Sequence, residues 1–448
     1  MLIELHVLQN FAPSNLNRDD TGAPKSCQFG GVMRARVSSQ CWKRAARGFT
    51  RERGLLTGDE LGHRTKRLKA ELTKRLVDAG DAPFSAQVAP IVAEAAVRSF
   101  KAKMKNDLTS YLLFVGEGEV QEAIEVCKTH RQTLESYAQK VAEQQAKKEA
   151  KANKKQTPAK AAMETEAGSQ TGVESQTEQD EADESLVPEV KISGELKKNF
   201  DEFQKSIVKT LDMKSAADVA MFGRMLADLP EKNIDAACQV AHPISTHAVS
   251  RGEDDYFTAM DDLQPKGEPG AGQIGTTEFN SACYYRYANI DTEQLATNLN
   301  GNDKLAKRAA RAFLQAFVRA IPTGKQNSYA SPTPPSFVLA VVREHGLCSL
   351  ANAYESPVRA SETGGVVKES VRRLDEHFGL VNKMFGEFND SSTISVCGEH
   401  DANLGSLKPH AEATLKAEGA DNLSKLINRT LAAAFGGKAG VSNQELGR

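Results

Sequence analysis

Along the first residues, apolar Ile3, Leu5 and Val7 alternate with polar Glu4 and His6, the period of a strand with one face buried. The alternation predicts a strand over about 2–8 that starts the fold at once. A long loop follows, rich in turn formers: Pro13, Asn15, Asn17, Asp19, Asp20, Gly22 and Pro24. Past Gly30-Gly31 the spacing changes to helical. Trp42, Ala46 and Phe49 make an apolar stripe, Lys43, Arg44, Arg47 and Arg51 occupy the other face, and Ser38 or Ser39 is placed to cap the helix.

From about 58 to 137 apolar residues recur at three and four spacing with no strand signal between them, which predicts an inserted helical lobe. Over 139–189 apolar residues nearly vanish. A lysine–alanine–glutamine run gives way to an acidic Ser/Thr/Gln/Glu tract, the composition of a disordered or partly helical excursion, and a solvated spacer is favoured over loose RNA binding. Helical spacing returns over 193–211, followed by an apolar segment at 217–230 with Arg224 embedded. Residues 254–280 have turn formers at the tip and apolar shoulders, the pattern of a long protruding hairpin. Cys283, Tyr285 and Tyr287 alternate in a strand, an amphipathic helix carries Leu305, Ala309, Phe313 and Phe317, and 337–342 is an apolar run suited to a buried strand. A helix over about 366–388 and a weaker one near 423–435 complete the chain. Without the insertions the order is strand, helix, strands, helix, strand, as in ferredoxin-like or RNA-recognition-motif sheets.

The totals alter this picture in one respect. Over 448 residues the net charge is −2, so nucleic-acid binding requires a patch and not overall basicity. Such a patch exists, because between Arg34 and Arg53 the only acid is Glu52. Apolar and charged fractions of 40% and 26% are those of a globular protein, and no apolar run reaches a membrane span. The N-terminus lacks the cationic lead and apolar core of a signal peptide. Seven scattered cysteines without a C-x-x-C pair fit reduced thiols in the cytoplasm.

Catalytic motifs are not found: no Walker loop, G-x-G-x-x-G, H-E-x-x-H or G-x-S-x-G is present. Asp254-Asp255 and Asp261-Asp262 are paired acids, but nothing at metal-ligand spacing accompanies them, and solvated or salt-bridged acids are the better reading. Cys397 and His400 stand at C-x-x-H spacing without a second pair, and His242 and His247 read as packing or hydrogen-bonding groups. In the basic stretch several features agree. A helix N-terminus at Ser38-Ser39 offers N–H groups to a phosphate, Gln40, Lys43, Arg44 and Arg47 add donors, and Gly30-Gly31 allows close backbone approach to a ligand. Composition alone does not separate this from an ordinary exposed cationic helix.

Taken together, NRDD, FGG, RVSSQ-x-x-KRA, FGRM, the pair AHPISTHAV and DDYFTAMDDL, GTTEFNS with YYRYANI, and IPTGKQNSYA resemble the CasC-type backbone subunits of the type I-E CRISPR Cascade complex. The motifs occur in the family's order across most of residues 3–360, and the match weakens after about 362. The resemblance implies an α+β fold with an RNA-recognition-motif (ferredoxin-like) palm, an inserted helical finger domain and a protruding β-hairpin thumb. By this reading 1–57, 215–249 and 281–448 form the palm with the C-terminal helices, 58–214 the finger and 250–280 the thumb.

The resemblance also implies a non-catalytic subunit without cofactor or metal. Several copies would polymerise along one CRISPR RNA, kinking it at regular intervals so that it pairs with target DNA. Implied partners are the RNA, the paired DNA, further copies of the chain, and the large, small, Cas five-type and RNA-processing Cascade subunits. Backbone contacts carried over from the family fall on Arg18, Lys25, Ser38, Gln40, Lys43, Arg44 and Arg47, and the base-kinking wedge on Met225 and Ile274. The alternative is a metal-dependent, target-RNA-cleaving backbone subunit of type III kind, with Asp19 and Asp20 or the thumb acids as its candidates.

Overall fold

The computed structural model describes residues 1–80, 83–155, 192–212, 216–250, 252–259, 271–360, 365–386, 393–398 and 404–436. Its chain divides into two compact units. One comprises Met1–Gly58, Ala220–Gly223 and Asp235–Arg448, and the other Asp59–Val219 with Arg224–Ile234. Of the segment 215–249 that the resemblance assigns to the palm, residues 216–219 and 224–234 fall in the second unit.

In chain order the elements begin with β1 (Leu2–Ser14), the hairpin β2 (Ser26–Phe29) and β3 (Val32–Ala35), and α1 (Ser39–Glu52). Next come β4 (Gly62–Thr65), α2 (Leu68–Val77), α3 (Ala89–Ser99), β5 (Met104–Lys105), β6 (Leu108–Thr109), β7 (Leu113–Gly116), α4 (Glu117–Thr129), α5 (Arg131–Lys155), α6 (Gly194–Thr210) and α7 (Ala217–Phe222). The chain continues with β8 (Cys238–Val240), β9 (Ile244–Ser245), β10 (Gly252–Ala259), β11 (Ala271–Asp291), α8 (Thr292–Asn298), α9 (Asp303–Arg319) and α10 (Gln326–Tyr329). It ends with β12 (Phe337–Arg343), α11 (Gly365–Phe385), β13 (Thr393–Gly398), α12 (Lys408–Leu415) and α13 (Asn422–Phe435).

The first unit is built on an antiparallel sheet of order β10-β11-β1-β12-β13, with β8 and β9 also paired to β11. Both β11 and β12 run antiparallel to β1. They are therefore parallel to each other with β1 between them, and α8 and α9 make the crossover: a split β–α–β unit. Past Asn280 the strand β11 leaves β1 and pairs with β10 alone, in the register Gly252↔Phe279 to Ala259↔Ala271.

The alternation in β1 predicts one buried face, but residues 3–9 are all buried. Ile3, Leu5 and Val7 lie on the face that also carries Tyr284 and Arg286, and Phe11, Tyr284 and Trp42 share one apolar cluster there. Glu4, His6 and Leu8 lie on the other, where Leu8, Tyr285, Tyr287, Phe337 and Leu339 pack with Leu374 and Phe378 of α11. The polar positions are buried as well because each is hydrogen-bonded in the core. Glu4 accepts from Tyr287 Oη at 2.5 Å, from Cys348 N at 2.7 Å and from Arg343, while His6 Nδ1 bonds Tyr285 Oη at 2.8 Å. Satisfied groups of this kind remove the few kcal/mol that burying bare polar atoms costs.

The second unit packs α2, α3, α4, α5 and α6 around Leu72, Val97, Ile124, Leu134 and Phe203. Glu94, in the buried middle of α3, is held by Lys69 Nζ at 2.6 Å and Arg98 Nε at 3.0 Å. The helical lobe was expected without strands, yet β4 pairs β7 and β5 pairs β6 inside it. Ladders of two to four residues are too short to impress a period of two on the sequence. Helix α5 continues to Lys155, into the tract expected at 139–189, whose remainder from 156 lies outside the described residues. Among the described residues no helix is long and apolar enough to cross a membrane.

Candidate functional site

Helix α1 is fixed from both ends of its sequence signal. Ser38, extended at φ −69° and ψ 146°, accepts the Cys41 N–H on its hydroxyl at 3.2 Å, and Trp42 is buried beneath the helix. The Ser38 N–H is itself donated to Asn17 Oδ1 at 2.8 Å, so the turn-rich loop latches the helix start. That loop is closed by Asp19, whose Oδ1 accepts from Thr21 N at 3.0 Å, Thr21 Oγ1 at 2.7 Å and Ala23 N at 3.0 Å. NRDD is thus first a turn that positions α1.

Between this loop, α1 and the segment 320–325 lies an open cleft of about 970 Å³. Arg18, Arg44, Arg47, Arg51 and Lys325 line it, with Asp19, Asp20 and Glu52 as the acids. Arg44, Arg47 and Arg51 come at three- and four-residue spacing and share one side of the helix. Lys325 was not among the residues expected at the site. It stands in left-handed conformation at φ 45° and donates to Thr277 Oγ1 at 3.3 Å. The signal was its place after Gly324, where a Cβ would overlap the Leu16 carbonyl, so only glycine brings this turn against the loop.

The expected contacts do not all converge there. Lys43 points elsewhere, its Nζ 5.8 Å from the centre of the Phe222 ring. Gln40 is exposed in the first turn of α1, and Ser38 serves as its cap. Lys25 lies toward Arg36 and His242, and Arg36 Nη1 is 3.0 Å from His242 Nδ1. Burial lowers the pKa of His242, and the neighbouring charges of Arg36 and Lys25 lower it further. His247 is hydrogen-bonded to the Ala248 carbonyl and the Cys283 N–H.

Two features of the basic stretch prove structural. Arg34 is fully buried and spends its guanidinium on the carbonyls of Phe29, Ser245, Tyr354 and Glu355. A Cβ at Gly30 would overlap the Glu355 carbonyl oxygen, so the close approach expected for a ligand is made to the chain's own backbone.

Of the two wedge residues, Met225 lies in the second unit and is 79% exposed. Its neighbour Arg224 is buried in a two-bond ion pair with Glu119, both distances 2.8 Å, and also donates to the Leu211 carbonyl. Burial pushes Glu119 up to about 7, against the pull of Arg224. Ile274 stands opposite Phe257 in the β10–β11 ladder. In the same ladder Asp255 Oδ1 accepts from Thr276 Oγ1 at 3.1 Å, while Asp261, Asp262 and His400 lie outside the described residues.

Around β1 both sheet faces are covered, and the cleft beside α1 is lined by cations. The family model described as CT1975-like protein matches residues 3–428. Among solved structures, a chain of a "CRISPR RNA-guided surveillance complex, pre-nicking" is similar at TM-score 0.70 and 26% identity, over 97% of this chain and 100% of that one. A chain of a "CRISPR RNA-guided surveillance complex" shares the fold at TM-score 0.62 and 23% identity, over the same 97% and 100%. No curated protein matches.

Proposed function

The chain belongs to the CT1975-like protein family, and we propose from that premise that it is a non-catalytic backbone subunit of a CRISPR surveillance complex of the Cascade type, type I-E. Several copies bind the phosphate backbone of one CRISPR RNA in the cytoplasm, kink it at intervals, and leave the segments between kinks free to pair with target DNA. In this reading the split β–α–β sheet is an RNA-recognition-motif palm, the helical unit is the finger, and the β10–β11 ladder is the thumb. The other Cascade subunits are the remaining partners.

The observation that carries the reading is the cationic cleft, where Arg18, Arg44, Arg47, Arg51 and Lys325 line one open groove. Cations gathered in an open groove suit backbone-directed binding of a single strand. The covered sheet gives a reason for using this groove, since Tyr285 and Tyr287 are buried and the usual stacking of bases on a sheet face is closed to them. Exposed Met225, held out by buried Arg224, has the chemistry of a wedge that unstacks a base without reading it. Against the RNA-cleaving alternative, the Asp19 carboxylate already serves its own turn.

The test is RNA binding by the Arg44→Glu/Arg47→Glu variant over a salt series. Loss of two phosphate contacts should reduce the slope of log K against log salt by about 1.4, at roughly 0.7 per contact on a single strand. An unchanged affinity and slope would remove the cleft from the proposal.

A further inference from the structure

Apart from the cleft, one cluster of cations gathers from three segments of the first unit. Lys25 precedes β2, Arg36 joins β3 to α1, and His242 follows β8. The segments are held together by backbone: Lys25 N donates to the Asn17 carbonyl, Arg36 N donates to the Lys25 carbonyl, both at 2.9 Å, and Arg36 bridges Ile244. The Arg36 side chain is fixed by Nε on the Ser26 carbonyl at 3.2 Å and by Nη1 on His242 Nδ1 at 3.0 Å.

All three side chains of the cluster are basic. Donation from the Arg36 guanidinium to a neutral imidazole is a charge-assisted hydrogen bond, and among the described residues no carboxylate makes an ion pair with Lys25 or Arg36. Arg36 always donates, so Nδ1 accepts and the imidazole is neutral, with its proton on Nε2. The charges acting on His242 are Arg36 and Lys25, both cationic. Beside them, Cys27 feels Arg36 and Arg34. Three basic side chains without a paired carboxylate suit an anionic ligand.

We propose that Lys25, Arg36 and His242 form a second backbone-phosphate subsite, in which His242 takes up a proton from solvent as the RNA phosphate binds. The inference rests on the RNA-binding reading above and extends it to a group outside the cleft. When the phosphate enters, its charge stabilises the imidazolium. Nδ1 gains the proton, the bond from Arg36 Nη1 breaks, and both groups donate to the phosphate oxygens. RNA affinity therefore carries a pH dependence that the arginines and lysines of the cleft do not supply, because they stay charged throughout the range.

The experiment uses the full chain and a fluorescein-labelled single-stranded RNA of mixed sequence, with affinity read by anisotropy between about pH 8 and pH 6. The wild type should bind about tenfold more tightly at the acid end, at most tenfold per pH unit for one linked proton. His242→Gln, on an exposed side chain, should flatten the profile, and Arg36→Gln should lower the salt slope by about 0.7. The Arg44→Glu/Arg47→Glu variant is run beside them. If it loses binding while His242→Gln keeps the wild-type profile, the second subsite is overturned and the cleft stands. If no variant alters binding, both are overturned.

Discussion

At the scale of single residues, the basic stretch holds cations of two kinds, and charge alone does not tell them apart. Arg34 has its donors on four carbonyls in the core, whereas Arg44 is exposed on α1. Arg34→Gln should cost about 3 kcal/mol or more by leaving those carbonyls unpaired, while Arg44→Gln should stay within about 0.5 kcal/mol. Urea titration of both variants checks the contrast. His6 supplies a pH dependence of stability. Burial first, and the Arg343 charge second, hold it down to about 3 from its usual 6.5. Below 6.5 the unfolded chain takes up a proton that the folded chain refuses, so stability falls as pH drops from about 6.5 toward 3. His6→Asn should flatten that acid limb, read by denaturant midpoints between about pH 6.5 and pH 4.

At the scale of elements, the residues that were legible are those whose period matched their burial. Helix α1 declared itself through Trp42, Ala46 and the Ser38 cap, and β12 through its apolar run. The turn 320–325 did not, because its contribution to the cleft depends on contact with residues 16–22, far away in sequence. The second face of β1 was hidden for a related reason: Glu4 and His6 read as solvent-facing until partners on β11 and β12 supply their hydrogen bonds. Gly324 tests how far the turn shapes the cleft. Gly324→Ala should push the loop 16–22 away from Lys325, weakening RNA binding about tenfold, with a melting point that falls by a few degrees. Met225 separates wedge from scaffold in the helical unit. Met225→Gln should leave stability within about 0.5 kcal/mol, yet diminish the fluorescence of a 2-aminopurine placed at the kinked nucleotide.

For the whole molecule, kinship with CRISPR surveillance-complex subunits and the mixed α+β architecture were legible from motifs spread over residues 3–360, and the CT1975-like family model reaches 428. The unit boundaries were less so. Gly223, at φ +78°, sits between Phe222 of the first unit and Arg224 of the second, and a boundary inside a four-residue motif leaves no composition shift to read. In a chain of net charge −2, Arg18, Arg44, Arg47, Arg51 and Lys325 line one cleft, and the proposed role is that of many copies laid along one strand of RNA. The most direct test is the native mass of the assembly formed when purified chain meets a single CRISPR RNA. The account predicts one RNA carrying several copies, with copy number rising as the RNA is lengthened. A single copy per RNA, whatever its length, would contradict it.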